Sequence, residues 1–481
     1  MAVRTVDDSR GQAWAPAMPL LVATVLYLVV LAVAANLLND PDTYWHLVVG
    51  DWILANGFPT GDPFSFTFAG APWIAKEWLA QIVFSLAHHL GGWTLVVVLS
   101  AAAIALAFAL LTRFLMDELA PLPVLALTAV AFVLAAPHLV ARPHVLALPV
   151  MVAWVGGLVR AVDRARQPPY MRLGLMVLWA NLHGGFTLGI VLGIAAGLDA
   201  VVAATPADRL RLAARWIGFV LLTFVAASVT PYGPESMVVT YRILSQSEAL
   251  SVITEWRPAD FSHLAGFEVV LLLAGGFALY RGFVLPPVRI LVILGLLHLA
   301  LAAERNGELL GLIAPLFLAA PLARQFPAAR AGREPAAFRW RPAAIAAGLA
   351  LLVPATVALA VAGDSAPNRR ITPDAAVKAL KRANPGPVLN DYDFGGFLVF
   401  SDVPPFIDGR TELYGGAFTA RHFRAVTLSD FSDFVRLLDE YGIAATLLSP
   451  TTPAVALLDR LPGWQRLYAD EVAVVHVRAA R

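Results

Sequence analysis

Asn39-Asp40-Pro41-Asp42-Thr43-Tyr44-Trp45-His46 stands at the exit of the first long hydrophobic segment, and its reading decides what fold follows. The segment before it, Pro19 to Leu38, is almost wholly apolar. A helix needs about 20 such residues to cross a bilayer. Two carboxylates follow at once, at the depth where membrane meets water. Ionisable groups there cost energy to desolvate, which points to function. A plain helix stop, with Asp-Pro as punctuation, accounts for the octapeptide equally well on its own. The rest of the chain decides between these readings.

Of the 481 residues, 59% are hydrophobic and 14% charged, against roughly 25% charged in a soluble domain. Mean hydropathy is +0.70. Together with repeated apolar runs, these values describe a polytopic membrane protein. The net charge of +1 and the lack of a basic arm argue against a nucleic-acid partner. With no cysteine, disulfides, thiolate metal sites and thiol nucleophiles are excluded. Met1 to Met18 is short and polar, and the apolar segment after it exceeds a typical signal-peptide core. It reads as a retained first helix.

Arginines mark the cytoplasmic face. Arg160, Arg164, Arg166 and Arg172 flank one polar gap; Arg209, Arg211 and Arg215 another; Arg281 and Arg289 a third; and Arg324 to Arg341 fill a fourth. These agree in sidedness only if Glu77 to Gly92 is not a crossing. That segment is therefore expected to lie at the interface, with Trp78 and Trp93 near the headgroups. The spans become 19–38, 93–115, 121–137, 144–160, 172–183, 186–204, 216–230, 267–280, 289–303, 307–323 and 343–362, about eleven in all. Residues 1–363 then form a transmembrane domain with a first outer loop at 39–92. From Asp364 charge rises and the apolar runs shorten. Helical spacing at Pro373–Arg382 and Phe431–Tyr441 is expected to alternate with strands. The strands are placed at Val388–Leu389, Phe397–Phe400, Pro405–Ile407, Ile443–Leu448 and Val472–Val477. The tail, 364–481, is thus a small α/β domain on the outer face.

With this topology the unusual polar residues gather outside. Asp40, Asp42, His46, Asp51, Lys76 and Glu77 lie in the first outer loop. Arg142 and His144 fall in the next outer gap, Asn181 and His183 in the third, Glu255 and Arg257 in the long loop 231–266, and Glu304 to Asn306 in the last. Carboxylates, imidazoles and guanidiniums on one face of a bundle describe a polar cavity. Each has a structural alternative. Asp51 could face water, Lys76 and Glu77 could cap a helix, and Arg142 could snorkel to headgroups. His144 and His183 could be core histidines, and Glu255 and Arg257 a local ion pair. Arg305 sits in a very short gap and needs an anion partner. His88-His89 is a poor metal pair, because neighbours do not share a helix face. Gly184-Gly185 and Gly395-Gly396 lack the context of a phosphate loop.

A carboxylate at the membrane lip can remove a proton from an acceptor as a bond to sugar forms. Arginines beside it can neutralise a phosphate leaving group. A lipid-linked phosphosugar suits such a place, with its tail in the bilayer and its phosphate at the interface.

The acidic motif after the first span, Asp62-Pro63-Phe64-Ser65, Glu77-Trp78-Leu79, Trp179-Ala180-Asn181-Leu182-His183-Gly184-Gly185, Glu255-Trp256-Arg257-Pro258 and Phe406-Ile407-Asp408-Gly409-Arg410-Thr411 carry a resemblance. The chain resembles bacterial integral membrane proteins of the GT-C superfamily of glycosyltransferases, over most of its length. The resemblance implies a polyprenyl-phosphate sugar donor, inversion at the sugar, and an active site facing out of a bacterial inner membrane. It makes Asp42 the expected base, with Asp40 second. A divalent cation, Mg or Mn, on Asp40 and Asp42 stays open. Arg305 and Arg257 are assigned to the donor phosphate from charge and topology, with Arg142, His183 and His144 beside them. His46, Glu77 and Glu255 complete the cavity. The acceptor is left open as glycan, lipid or protein. Asp408 and Arg410 read as a structural pair, and the tail by analogy as a cap over the cavity. Two other classes compete: a transporter or flippase for lipid-linked sugars, and a non-catalytic subunit. Transport favours polar groups at midplane and internal symmetry, neither of which the sequence displays.

Overall fold

A computed structural model describes residues 18–244, 256–330, 342–362 and 365–479. The first part is helical: α1 (Met18–Ala32), α2 (Asp42–Asn56), α3 (Trp78–Leu115), α4 (Pro121–Ala135), α5 (Pro143–Asp163), α6 (Leu173–Leu182), α7 (Phe186–Ala203), α8 (Pro206–Ala227), α9 (Glu235–Leu244), α10 (Gly266–Arg281), α11 (Pro287–Ala302), α12 (Gly307–Gln325) and α13 (Pro342–Ala362). Prolines open α4, α5, α8 and α11, where the missing N–H costs nothing and the fixed φ suits the first turn.

Six helical stretches among the described residues are long and apolar enough to cross a membrane: 78–115, 121–138, 143–163, 186–203, 206–227 and 304–325. Shorter apolar helices lie at 18–32, 287–302 and 352–362. This is a multi-pass membrane protein. Residues 143–163 and 304–325 are the innermost, each 78% buried. Leu221, Val225, Leu272 and Leu279 face outward on others, as a lipid solvent allows.

Several sequence expectations shift. The 172–183 span is a ten-residue helix, α6, about 15 Å long and too short to cross a hydrocarbon core of about 30 Å. α8 starts at Pro206, so Arg209, Arg211 and Arg215 ride on its first turns. The segment after Glu77 and the following span form one 38-residue helix broken at Gly91 and Gly92. Gly92 has φ 60°, ψ −155°, a conformation open essentially to glycine alone. The two halves therefore change direction there, at the boundary the charge pattern assigned.

The arginine-rich end is knitted rather than scattered. Arg113, Arg160 and Arg164 converge on Asp117. Buried Arg289 reaches Asp163 at 2.6 Å and Asp199 at 2.9 Å, joining α11 to α5 and α7. Charges at that depth survive only when paired.

The tail is an α/β unit. Its sheet has the order β1-β2-β4-β3, formed by Val388–Asn390, Ala445–Leu448, Val474–Arg478 and Trp464–Ala469 respectively. β1 and β2 are parallel, and the other pairs antiparallel. Helices α14 (Asp374–Ala383), α15 (Gly395–Phe400), α16 (Thr411–Val426) and α17 (Phe431–Glu440) pack around it. Expected strand Phe397–Phe400 is helix α15, since a four-residue apolar run suits either state. Pro405–Ile407 makes only one bridge, Pro405 to Val388, because proline brings no N–H to a ladder. β3, a Trp-Gln-Arg-Leu-Tyr-Ala edge strand with no fully buried residue, was not anticipated.

The segment 39–92 shares the tail's core. Trp45, Val49, Ile53 and Trp73 pack with Leu389, Phe406, Leu437 and Val474. Tyr44 packs on the other side with Leu380, Phe397 and Val475. Burial of these aromatic and aliphatic groups fixes the tail against the motif.

Candidate active site

α1 ends and the chain turns at Asp40, whose Oδ1 accepts the Asp42 backbone N–H at 2.8 Å. Asp42 opens α2, where a carboxylate suits the helix dipole. The Thr43 hydroxyl donates to the Ala141 carbonyl at 3.0 Å, and Ala141 N–H donates to Leu37 at 2.7 Å. These bonds pin the Ala141-Arg142-Pro143-His144 turn onto the motif. Arg142 then places Nε 3.0 Å from Asp40 Oδ1 and Nη2 on Asp42 Oδ2. The tail closes the other side. A Cβ on Gly409 would lie 1.8 Å from Asp42 Oδ1, and one on Gly396 would lie 2.1 Å from the Pro41 carbonyl oxygen. Only glycine allows these approaches.

A second polar cluster forms around Glu77, which precedes α3 but makes no side-chain cap there. Its carboxylate lies 3.5 Å from His183 Nε2 and 4.0 Å from His46 Nε2. Burial pushes the Glu77 carboxyl up, against the pull of Lys76. Burial holds the His46 imidazole well below its usual range, with Lys76 adding to the effect, so His46 is neutral. Its Nδ1 faces Gln81 Nε2 at 3.1 Å. His144 Nε2 is 3.7 Å from Glu308 and 3.0 Å from the His138 carbonyl.

Lys76 meets Glu412 of the tail at 2.9 Å. Burial alone would lower the Lys76 ammonium, but Glu412 and Glu77 outweigh it and leave it raised and charged. The Arg305 guanidinium lies 4.6 Å from the centroid of the Trp256 ring and is close enough to Lys76 and Glu77 to influence both. Burial also raises the Asp393 carboxyl.

The ionisable side chains of both clusters, with Gly409 and Trp256, line one cavity of about 710 Å³. Apolar side chains such as Met151, Leu188, Val191 and Leu299 form part of its wall. Its charged lining comprises Asp40, Asp42, Glu77, Glu308, Asp393 and Glu412 against Lys76, Arg142 and Arg305. An amphipathic ligand with a charged head matches that division. Among the described residues no group of three or more histidines and carboxylates is placed to hold a metal ion. Asp40 and Asp42, the expected ligand pair, both face the Arg142 guanidinium. As arranged, the pair does not fit a divalent cation.

No protein-family model matches the sequence, and no curated protein sequence matches it. Solved structures do. The archaeal oligosaccharyltransferase AglB from Archaeoglobus fulgidus, in complex with an inhibitory peptide and a dolichol-phosphate, superposes with a TM-score of 0.50 at 11% identity, over 89% of this chain and 69% of that one. The two chains share a fold over that range. ArnT from Cupriavidus metallidurans, bound to undecaprenyl phosphate, gives 0.48 at 13% identity, over 96% and 98% of the two chains. An A. fulgidus oligosaccharyltransferase complex with Zn and sulfate gives 0.44 at 12%, over 89% and 68%.

Within this fold, Asp42, Asp40, Arg305, Arg142, His183, His144, His46 and Glu77 all line the cavity. Arg142 pairs with the aspartates instead of snorkelling. Arg257 is exposed and absent from the lining; its carbonyl accepts the Glu304 N–H at 3.0 Å. Glu255 lies outside the described residues. Asp408 and Arg410 form a fully buried pair with Asp62. Sequence reasoning grouped Lys76 with the polar residues of the cavity but gave it no role, and it missed Glu308 and the tail's Tyr392, Asp393, Gly409, Thr411 and Glu412. Glu308 carried a signal, a carboxylate three residues after Arg305 in the first turn of the following apolar span. The tail residues carried only the Asp-Gly-Arg-Thr-Glu run.

Proposed function

We propose that the protein is a membrane glycosyltransferase that moves a sugar from a polyprenyl-phosphate donor to an acceptor at the outer face of a bacterial inner membrane. The observation that carries this reading is the cavity itself, where an apolar wall meets an aspartate pair on one side and Lys76 and Arg305 on another. The lipid tail lies along the apolar wall and the phosphate meets the two cations. The acceptor O–H or N–H gives its proton to Asp42 as its oxygen or nitrogen bonds the anomeric carbon. The anomeric C–O bond to phosphate breaks on the opposite face, and polyprenyl phosphate leaves with the electron pair. Lys76 and Arg305 hold the charge that develops on it. The configuration inverts. Asp40 supports Asp42 through its backbone bond, His183 and His144 stand beside the phosphate-binding cations, and Glu77 and His46 complete the lining. The GT-C-like fold raises this reading by analogy.

The test is turnover of a panel of polyprenyl-phosphate sugars in lipid, scored as free polyprenyl phosphate, with a membrane extract supplying acceptors. Wild-type turnover should fall by about 10³-fold or more in Asp42→Asn, the range a general base supplies. Lys76→Met should raise the donor KM about tenfold or more, as loss of a charge-assisted bond implies. Saturable donor binding without turnover on any donor would instead favour a transporter or a non-catalytic subunit.

A further inference from the structure

Two carboxylates one residue apart, both nearly buried in a cavity wall, need a cation between them. In this chain that position is filled by a side chain. Arg142 forks across the pair, Nε to Asp40 at 3.0 Å and Nη2 to Asp42. Its side chain is 16% exposed, and those of Asp40 and Asp42 are 10% and 9%. The backbone that presents it is fixed on both sides. Ala141 is bonded to Leu37 and Thr43, and Pro143 begins α5 directly after it. Arg142 is thus delivered to the aspartates by the fold, with no rearrangement needed. The same two aspartates are the only carboxylates of the motif that could have bound a metal, and among the described residues no third ligand joins them.

We propose that the Arg142 guanidinium takes the place of a divalent cation between Asp40 and Asp42, so that the site works without bound metal and Arg142 acts as a positioning residue for Asp42. The charge balance supports this. One guanidinium against Asp40 and Asp42, with the Asp393 carboxyl also within its field, does not over-neutralise the pair, which a proton-accepting site requires. Geometry supports it as well. The planar fork sets the relative orientation of both carboxylates, which a point charge such as lysine does not.

The inference rests on the transferase reading above, but its test has an arm that does not. Mn²⁺ binding is measured by electron paramagnetic resonance on the full chain in zwitterionic lipid, for wild type, Asp42→Asn, Arg142→Ala and Arg142→Ala/Asp40→Asn. Wild type should hold no Mn²⁺ that Asp42→Asn removes. Arg142→Ala should take up one Mn²⁺, and the double variant should lose it. In the turnover assay, wild type should be unchanged by a chelator. Arg142→Ala should fall by roughly 10²-fold, the cost of a misplaced reacting group, and regain activity with added guanidinium ion or Mn²⁺. Arg142→Lys should fall between the two. A wild-type Mn²⁺ signal abolished by Asp42→Asn would overturn the proposal, as would wild-type turnover lost to the chelator and restored by Mn²⁺. A folded Arg142→Ala that binds no Mn²⁺ would overturn it too. If Arg142→Ala does not fold, the wild-type arms decide alone. Absence of turnover on every donor would count against the transferase reading, while Mn²⁺ binding would still decide the role of Arg142.

Discussion

Replacing Arg410 with methionine should release the tail from the first outer loop. Arg410 is fully buried and donates from Nε to Asp408 Oδ1 at 2.9 Å, from Nη2 to Asp408 Oδ2 at 2.6 Å, and from Nη1 to Asp62 Oδ1 at 2.5 Å. Its guanidinium also lies 5.2 Å from the centroid of the Phe64 ring and 4.9 Å from that of Trp73. Methionine fills much of the volume but leaves two carboxylates buried without their cation. Tyr414 still donates to Asp408 at 2.9 Å, and Ser65 and backbone N–H groups to Asp62, so part of the charge stays solvated. Breaking a buried pair this way costs about 3–5 kcal/mol. That is roughly a hundredfold to a few thousandfold in the population of the opened tail. Limited proteolysis in proteoliposomes with the tail outward reads this population when opening is fast relative to cleavage. Arg410→Met should be cut faster by that factor at sites between Gly57 and Trp73. Arg410→Met/Asp408→Asn should recover part of the loss, because it removes one stranded charge. Cleavage of Arg410→Met within threefold of wild type would refute the idea that this pair holds the tail on the loop.

Three further outcomes follow from the geometry. Gly396→Ala would bring a Cβ to 2.1 Å from the Pro41 carbonyl oxygen; backbone must shift there, so donor turnover should drop at least tenfold, about the cost of a sub-ångström misplacement, while the tail's own protease resistance stays. Asp391 is raised from 3.8 to about 6, chiefly by burial, despite bonds from Ser449 and Thr452. The folded protein therefore holds a proton the unfolded chain has lost, and this contribution to stability is present below about pH 4 and lost as pH rises through about 6. Thermal melting of wild type minus Asp391→Asn across pH 4 to 7 should show that fall; a flat difference would contradict it. Arg289→Met strands Asp163 and Asp199 between helices and should cost about 3 kcal/mol or more, read as thermal stability in lipid, whereas Arg281→Met, on an exposed helix end, should change little.

The helical part was legible where the chain is most hydrophobic, because a bilayer leaves a long apolar run few other options. It was less legible where runs are short: α6 and α15 could not be told from a span and a strand by composition. The site was legible for a related reason. Asp42, Arg142, His183 and Arg305 stand at places where an unpaired charge is costly, so their positions alone announced that partners exist. Which partner each one takes was not written locally. Lys76 finds Glu412 across 336 positions of sequence, and Gly409 reaches Asp42 across a similar distance.

Those long-range meetings have a common cause. The first outer loop cannot bury Trp45, Val49 and Trp73 by itself, and the tail's sheet needs a cover for Leu389 and Phe406; each completes the other's core. Once that apolar surface closes, the glycines at 396 and 409 let the tail's backbone come down onto the acidic motif, and the cavity acquires its outer wall. The tail is therefore part of the site because of hydrophobic packing on the far side of the motif. A substitution in that shared core away from the cavity lining, such as Phe406→Ala, should lower donor turnover even though the chemistry lies elsewhere. Large-to-small changes of this kind cost about 3–5 kcal/mol, enough to loosen the wall that Gly409, Thr411 and Glu412 supply. If Phe406→Ala left both turnover and tail protection as in wild type, the wall would have to be held by the polar contacts alone, and the shared core would be incidental to the site.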